Sequence, residues 1–203
     1  MAQQQQEKRD WWLRMALTGA VLTPVLHLAV LMVNGLDPVV SPVSELSRDT
    51  WGALHTFELV LFGVAHIALA LALRGLDSGR LWPVARGLLV ASGVGLVYVA
   101  FYFAGAPDGV LYGPDANDPL WIVASLTGFA MGALQPGLSR KSRQLGIFSM
   151  VCLGLWLWLI PVVLFVDESW LGAYERLVGV VYVVWLAGVS QLLLRSTQTE
   201  RAG

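Results

Sequence analysis

Residues 37–74 read DPVVSPVSELSRDTWGALHTFELVLFGVAHIALALALR, and this stretch decides what kind of protein the chain is. Its first part is polar and carries Pro38 and Pro42, which a helix interior does not accept. At Trp51 the pattern turns into an apolar run that reaches Leu73 with His55, Glu58 and His66 as its ionisable side chains. A run of that length crosses a bilayer as helix, about 20 residues for roughly 30 Å of hydrocarbon. An ionisable group at such depth is costly, so these three need partners or a function.

Working outward, apolar blocks of similar length recur on both sides. The pattern predicts helices over about 11–34, 51–74, 83–106, 119–138, 145–166 and 170–195, with a disordered polar tail over 1–10 and a second tail over 196–203. The composition agrees. Of 203 residues 56% are hydrophobic and 13% charged, against about 25% charged in a soluble domain. The expected fold is therefore an all-α integral membrane protein, a six-transmembrane-helix bundle with no separate soluble domain. A net charge of −1 gives no footprint for nucleic acid. A single cysteine, Cys152, forms neither an intramolecular disulfide nor a cysteine metal cluster.

Charge sets the expected orientation. Eleven of the 13 lysines and arginines fall on the side of the N-terminus, leaving Arg48 and Arg176 opposite. By the positive-inside rule both termini are cytoplasmic, in a bacterial inner membrane. The acids show the reverse bias, with Asp37, Glu45, Asp49, Asp167 and Glu175 among those on the outer side. Either the exposed outer loops simply need polar residues, or they form an acidic outer vestibule, which attracts cations or basic groups.

The ionisable side chains inside the spans share a depth. At about 1.5 Å per residue, His27 lies roughly 10 Å from the end of its span at Asn34, and His55 and Glu58 roughly 6 and 10 Å into theirs. Glu175 and Arg176 stand at a similar level in the last span. His55 and Glu58, three residues apart, lie on one helix face, and Glu175, Gly179 and Tyr182 share another. Three readings fit this layer. It is a buried ion-pair network, with Arg176 against Glu58 or Glu175. It is a binding site for a lipid headgroup or small solute, with Arg176 or Arg48 facing a phosphate. Or His27, His55 and Glu58 hold a metal such as zinc that activates water for hydrolysis, although the HExxH pattern is missing. His66, deeper in its span, reads as a hydrogen-bonded packing histidine, and Ser44 and Ser47 read as helix caps or turn donors.

The loop PVVSPVSELS at 38–47, a histidine early in the second helix and YERLVGVVYVVWL at 174–186 together resemble a bacterial and archaeal membrane-protein family catalogued as domain of unknown function 998. The resemblance runs from Leu13 to Leu194. It implies six transmembrane helices and no established activity, and it points to Ser44, Leu46, His55, Glu175 and Arg176.

The leading expectation is a non-enzymatic membrane protein with an outward-facing polar cavity, without cofactor. It would bind a lipid or small amphiphile through His27, Ser44, Arg48, His55, Glu58, Glu175, Arg176 and Tyr182, or serve as an accessory subunit of a larger membrane complex or homo-oligomer. The alternative is a zinc-dependent intramembrane hydrolase of a lipid-like substrate, with His27, His55 and Glu58 as ligands.

Overall fold

The computed structural model describes residues 2–47, 51–76, 79–105 and 118–202. They form six α-helices: α1 (Ala2–Asn34), α2 (Gly52–Ala72), α3 (Trp82–Gly105), α4 (Asp118–Lys141), α5 (Arg143–Val162) and α6 (Leu171–Ala202). All six are long and apolar enough to cross a membrane, which makes this a multi-pass membrane protein built as a helical bundle. Each helix packs on its neighbour in sequence, and α6 closes the ring against α1. The stretches 35–47 and 163–170, which follow α1 and α5, lie at one end of the bundle, here termed the loop end.

Local chemistry accounts for the helix ends. Gly35 takes a φ of 62° and its N–H bonds Leu31 O at 3.1 Å, the left-handed closure that glycine makes without steric cost. Ser142 caps α5 by accepting from the Leu145 N–H at 3.3 Å. The last carbonyls of a helix have no partner one turn further on within it. Side chains of α3 supply donors instead, from Trp82 Nε1 to Leu73 O and from Arg86 Nε to Ala70 O, both at 3.0 Å.

α2 is held tightly between its neighbours. A Cβ on Gly63 would come within 2.5 Å of Gly93 O, and one on Gly93 within 2.6 Å of Gly63 O. The two backbones therefore touch, as small residues permit between membrane helices. On the other side a Cβ at Gly19 of α1 would lie 2.8 Å from Ala65 Cβ.

Three boundaries differ from the sequence expectation. The stretches 2–10 and 196–202 are helical continuations of α1 and α6 rather than tails. The first is rich in Gln, Glu, Lys and Arg, all good helix formers, and Gln3 Nε2 donates to Glu7 Oε1 one turn on at 3.2 Å. α5 ends at Val162, four residues before the apolar run does, and tightens into a 3-10 turn over Val163–Phe165.

Candidate functional site

The polar layer assembles at the loop end around Glu58, which is 4% exposed. Glu58 Oε1 lies 2.9 Å from His27 Nδ1, and Oε2 lies 2.9 Å from His55 Nδ1. On the far side of the His27 ring, Arg176 Nε donates to Nε2 at 3.1 Å. A guanidinium offers donors only, so His27 Nε2 keeps its lone pair and the ring carries its proton on Nδ1, aimed at Glu58. An ionised Glu58 has no proton to give, so His55 Nδ1 is the donor to its second oxygen and each carboxylate oxygen accepts one imidazole N–H. α1, α2 and α6 are joined through a single connected network.

The same arginine ties in the loop. Arg176 Nη1 donates to Pro38 O at 2.9 Å and to Ser41 O at 2.8 Å. Glu175 Oε2 accepts from the Val43 N–H at 2.8 Å, and the Ala173 N–H bonds Val39 O at 2.9 Å. Pro38 and Pro42 hold 38–42 out of helical geometry, which leaves the carbonyls of 38, 39 and 41 free to accept from α6. Gly172 permits the approach, since a Cβ there would lie 2.3 Å from Ser41 O.

The structure corrects several expectations. Arg176 bonds His27 and loop carbonyls, not Glu58 or Glu175, because α6 turns its side chain toward α1 and the loop. Ser44 and Ser47 lie in a 3-10 turn over Val43–Ser47. Among the described residues their buried hydroxyls have no hydrogen-bond partner, and Trp51 opens α2 with no side-chain cap bond. The Tyr182 ring lines the cavity described below, but its hydroxyl accepts from Trp156 Nε1 and donates to Ala124 O, which commits it to helix packing. Arg48 lies outside the described residues.

Below the layer a cavity of about 500 Å³ opens between α1, α2, α3, α4 and α6. Its wall is apolar, with Leu28, Leu59, Phe62, Leu96, Trp121 and Val178 among its residues. His27, Glu58, Glu175 and Arg176 line it at the loop end, and His66 and Thr127 line it deeper in. His66 Nδ1 donates to Phe62 O at 2.9 Å, so its Nε2 is an acceptor, 3.4 Å from Thr127 Oγ1, which in turn meets Ser92 Oγ. Sequence reasoning missed Ser92 and Thr127. A hydroxyl in an apolar helix ordinarily bonds its own backbone, as Thr127 does to Val123 O at 3.2 Å, and carries no outward signal.

The ligand atoms of His27, His55 and Glu58 all lie within 4.8 Å of one another, close enough for one ion to be shared. His55 Nε2 is buried with no hydrogen-bond partner among the described residues.

The family model described as "Protein of unknown function (DUF998)" matches residues 16–191. The chain belongs to that family. It is also similar to the branched-chain amino acid transport system 2 carrier protein of Pseudomonas aeruginosa, 28% identical over 159 residues, or 66% of this chain and 33% of the carrier. The chain thus spans about a third of the length of the curated relative it matches. No solved structure matches it significantly.

Proposed function

We propose that this protein binds a small amphiphile in the cavity, with the polar head at Arg176 and the apolar body between the helices. The observation that carries this reading is a hydrogen-bonded ionisable layer closing one end of a mostly apolar cavity of about 500 Å³. A pocket that is mostly apolar with a few convergent polar groups has the general form of a small-molecule site. A network serving packing alone needs no cavity beside it. The carrier it resembles is named for branched-chain amino acid transport, and such an amino acid also joins a charged head to an apolar body. Eleven of the 13 basic residues lie toward the terminal side, so the loop end faces outward on this reading. The direct test is mass spectrometry of protein purified in native lipid. A copurifying amphiphile lost in Arg176→Gln supports the reading, and an empty cavity in folded, native-lipid protein would sink it.

The second reading, a zinc site on His27, His55 and Glu58, rests on the spacing of those ligand atoms. The donor set fits it poorly as arranged. A metal-bound histidine usually gives its other ring N–H to an acceptor, whereas His27 Nε2 faces the Arg176 donor. Zinc would have to displace a proton from His27 Nδ1 beside a guanidinium. Metal analysis of the purified protein decides: one equivalent of zinc, absent in His55→Ala, would replace the first reading with this one.

A further inference from the structure

Among the described residues, the cavity's polar end carries one unused donor and one unused acceptor on adjacent residues. Arg176 spends Nε on His27 and Nη1 on Pro38 and Ser41, while Nη2 is buried without a partner. Glu175 spends Oε2 on the Val43 N–H, while Oε1 is buried without a partner. Glu175 is 6% exposed, and both residues line the cavity. Their other bonds, to His27 and to the loop, orient the two side chains. Unsatisfied buried polar atoms are costly, and each one in a folded protein calls for an explanation.

The surrounding charge narrows the choice of guest. Arg176 is near enough to Glu175, Glu58, Asp37 and Glu45 to feel the charge of each. Among the described residues, a guest with only a negative head would meet one arginine near four acidic side chains. One with only a positive head would leave Nη2 unanswered. A head bearing both charges a few ångströms apart satisfies both atoms.

We infer that the ligand is zwitterionic, with an ammonium group at Glu175 Oε1, an anionic carboxylate or phosphate at Arg176 Nη2, and an apolar body in the cavity. This rests on the amphiphile reading above. A free amino acid with an apolar side chain and an aminophospholipid headgroup share this chemistry. Both atoms are closed off from water in the structure, so the head enters by parting the Arg176 and Glu175 side chains.

The test uses the whole protein in nanodiscs and four probes. Leucine is the free zwitterion, 4-methylpentanoate is the same body without the ammonium, and phosphatidylethanolamine and phosphatidylglycerol are a zwitterionic and an anionic lipid. Binding is read by native mass spectrometry and by thermal shift. The expected result is that one zwitterion binds at least about tenfold tighter than its anionic counterpart, the loss that follows from one missing charged hydrogen bond. Leucine over 4-methylpentanoate identifies a free solute, and phosphatidylethanolamine over phosphatidylglycerol identifies a lipid. Glu175→Gln should erase the preference by weakening the zwitterion and not the anionic probe, whose head then meets one carboxylate fewer, since a glutamine oxygen can still accept from Val43. Anionic and zwitterionic probes binding equally would overturn the inference and leave the amphiphile reading standing. Binding of none of the four would overturn both.

Discussion

Arg176 and His27, 149 residues apart in the chain, are joined by a 3.1 Å hydrogen bond that sets which nitrogen of the imidazole bears its proton. The donor-only guanidinium forces His27 to accept on Nε2 and so to donate from Nδ1 toward Glu58. Arg176→Gln removes this constraint together with the two bonds to Pro38 and Ser41. A stability loss on the order of 3 kcal/mol is expected in nanodisc thermal unfolding. The same change lets His27 turn its lone pair to the cluster, so zinc should bind the variant more tightly than the wild type by calorimetry. Equal affinity would show that Arg176 does not govern the tautomer.

Glu58 accepts from two imidazole N–H groups, one on each oxygen, at 2.9 Å. Glu58→Gln keeps the shape but offers one acceptor oxygen and one donor amide, so one histidine is left facing a donor. About 3–5 kcal/mol of destabilisation is expected, the usual result of removing one partner of a buried pair. Combining Glu58→Gln with His27→Ala and, separately, with His55→Ala should give coupling energies of about 0.5–3 kcal/mol in each cycle. A coupling of zero in either cycle would mean that this histidine does not bond Glu58.

The fold was largely legible because the bilayer imposes it. Apolar blocks of about 20 residues have few alternatives, and the six expected spans coincide with the six helices to within a few residues, apart from the terminal extensions and the early end of α5. The shared depth of His27, His55, Glu58, Glu175 and Arg176 was also legible from their positions along the spans. Who bonds whom was not. Arg176 had carboxylates as its obvious partners, yet its acceptors are an imidazole nitrogen and two loop carbonyls. Backbone carbonyls carry no residue-specific signal, and prolines 38 and 42 announce only that the loop is not helical. Gly172 and Gly179 look alike in sequence, three and four residues to either side of Glu175 and Arg176. One touches the loop backbone and the other faces open space.

Gly172 is where α6 and the loop come closest. A Cβ there would meet Ser41 O at 2.3 Å and Arg176 Nη1 at 2.7 Å. Because the first contact is backbone, the alanine cannot be absorbed by turning a side chain. Gly172→Ala should push 38–43 off α6 and speed hydrogen exchange at the Val43 and Ala173 amides, which bond across this seam. Exchange at the α2–α3 contact should stay unchanged. Unaltered protection of Val43 would show that the loop is held elsewhere.

Two glycines separate cavity occupancy from packing. Gly179 lines the cavity, and a Cβ on it meets nothing within 4 Å. The backbone there admits the first side-chain atom without conflict, so Gly179→Phe should set a ring at the cavity without the overpacking cost expected for Gly63. Gly63, by contrast, sits backbone to backbone with Gly93, where a Cβ would come to 2.5 Å. Gly63→Ala should cost about 1–3 kcal/mol, the usual penalty of overpacking. Protein purified in native lipid should then show opposite patterns by mass spectrometry. Gly179→Phe keeps its melting temperature and loses the bound amphiphile, whereas Gly63→Ala melts lower and keeps it. An amphiphile that survives Gly179→Phe would have to bind somewhere other than this cavity.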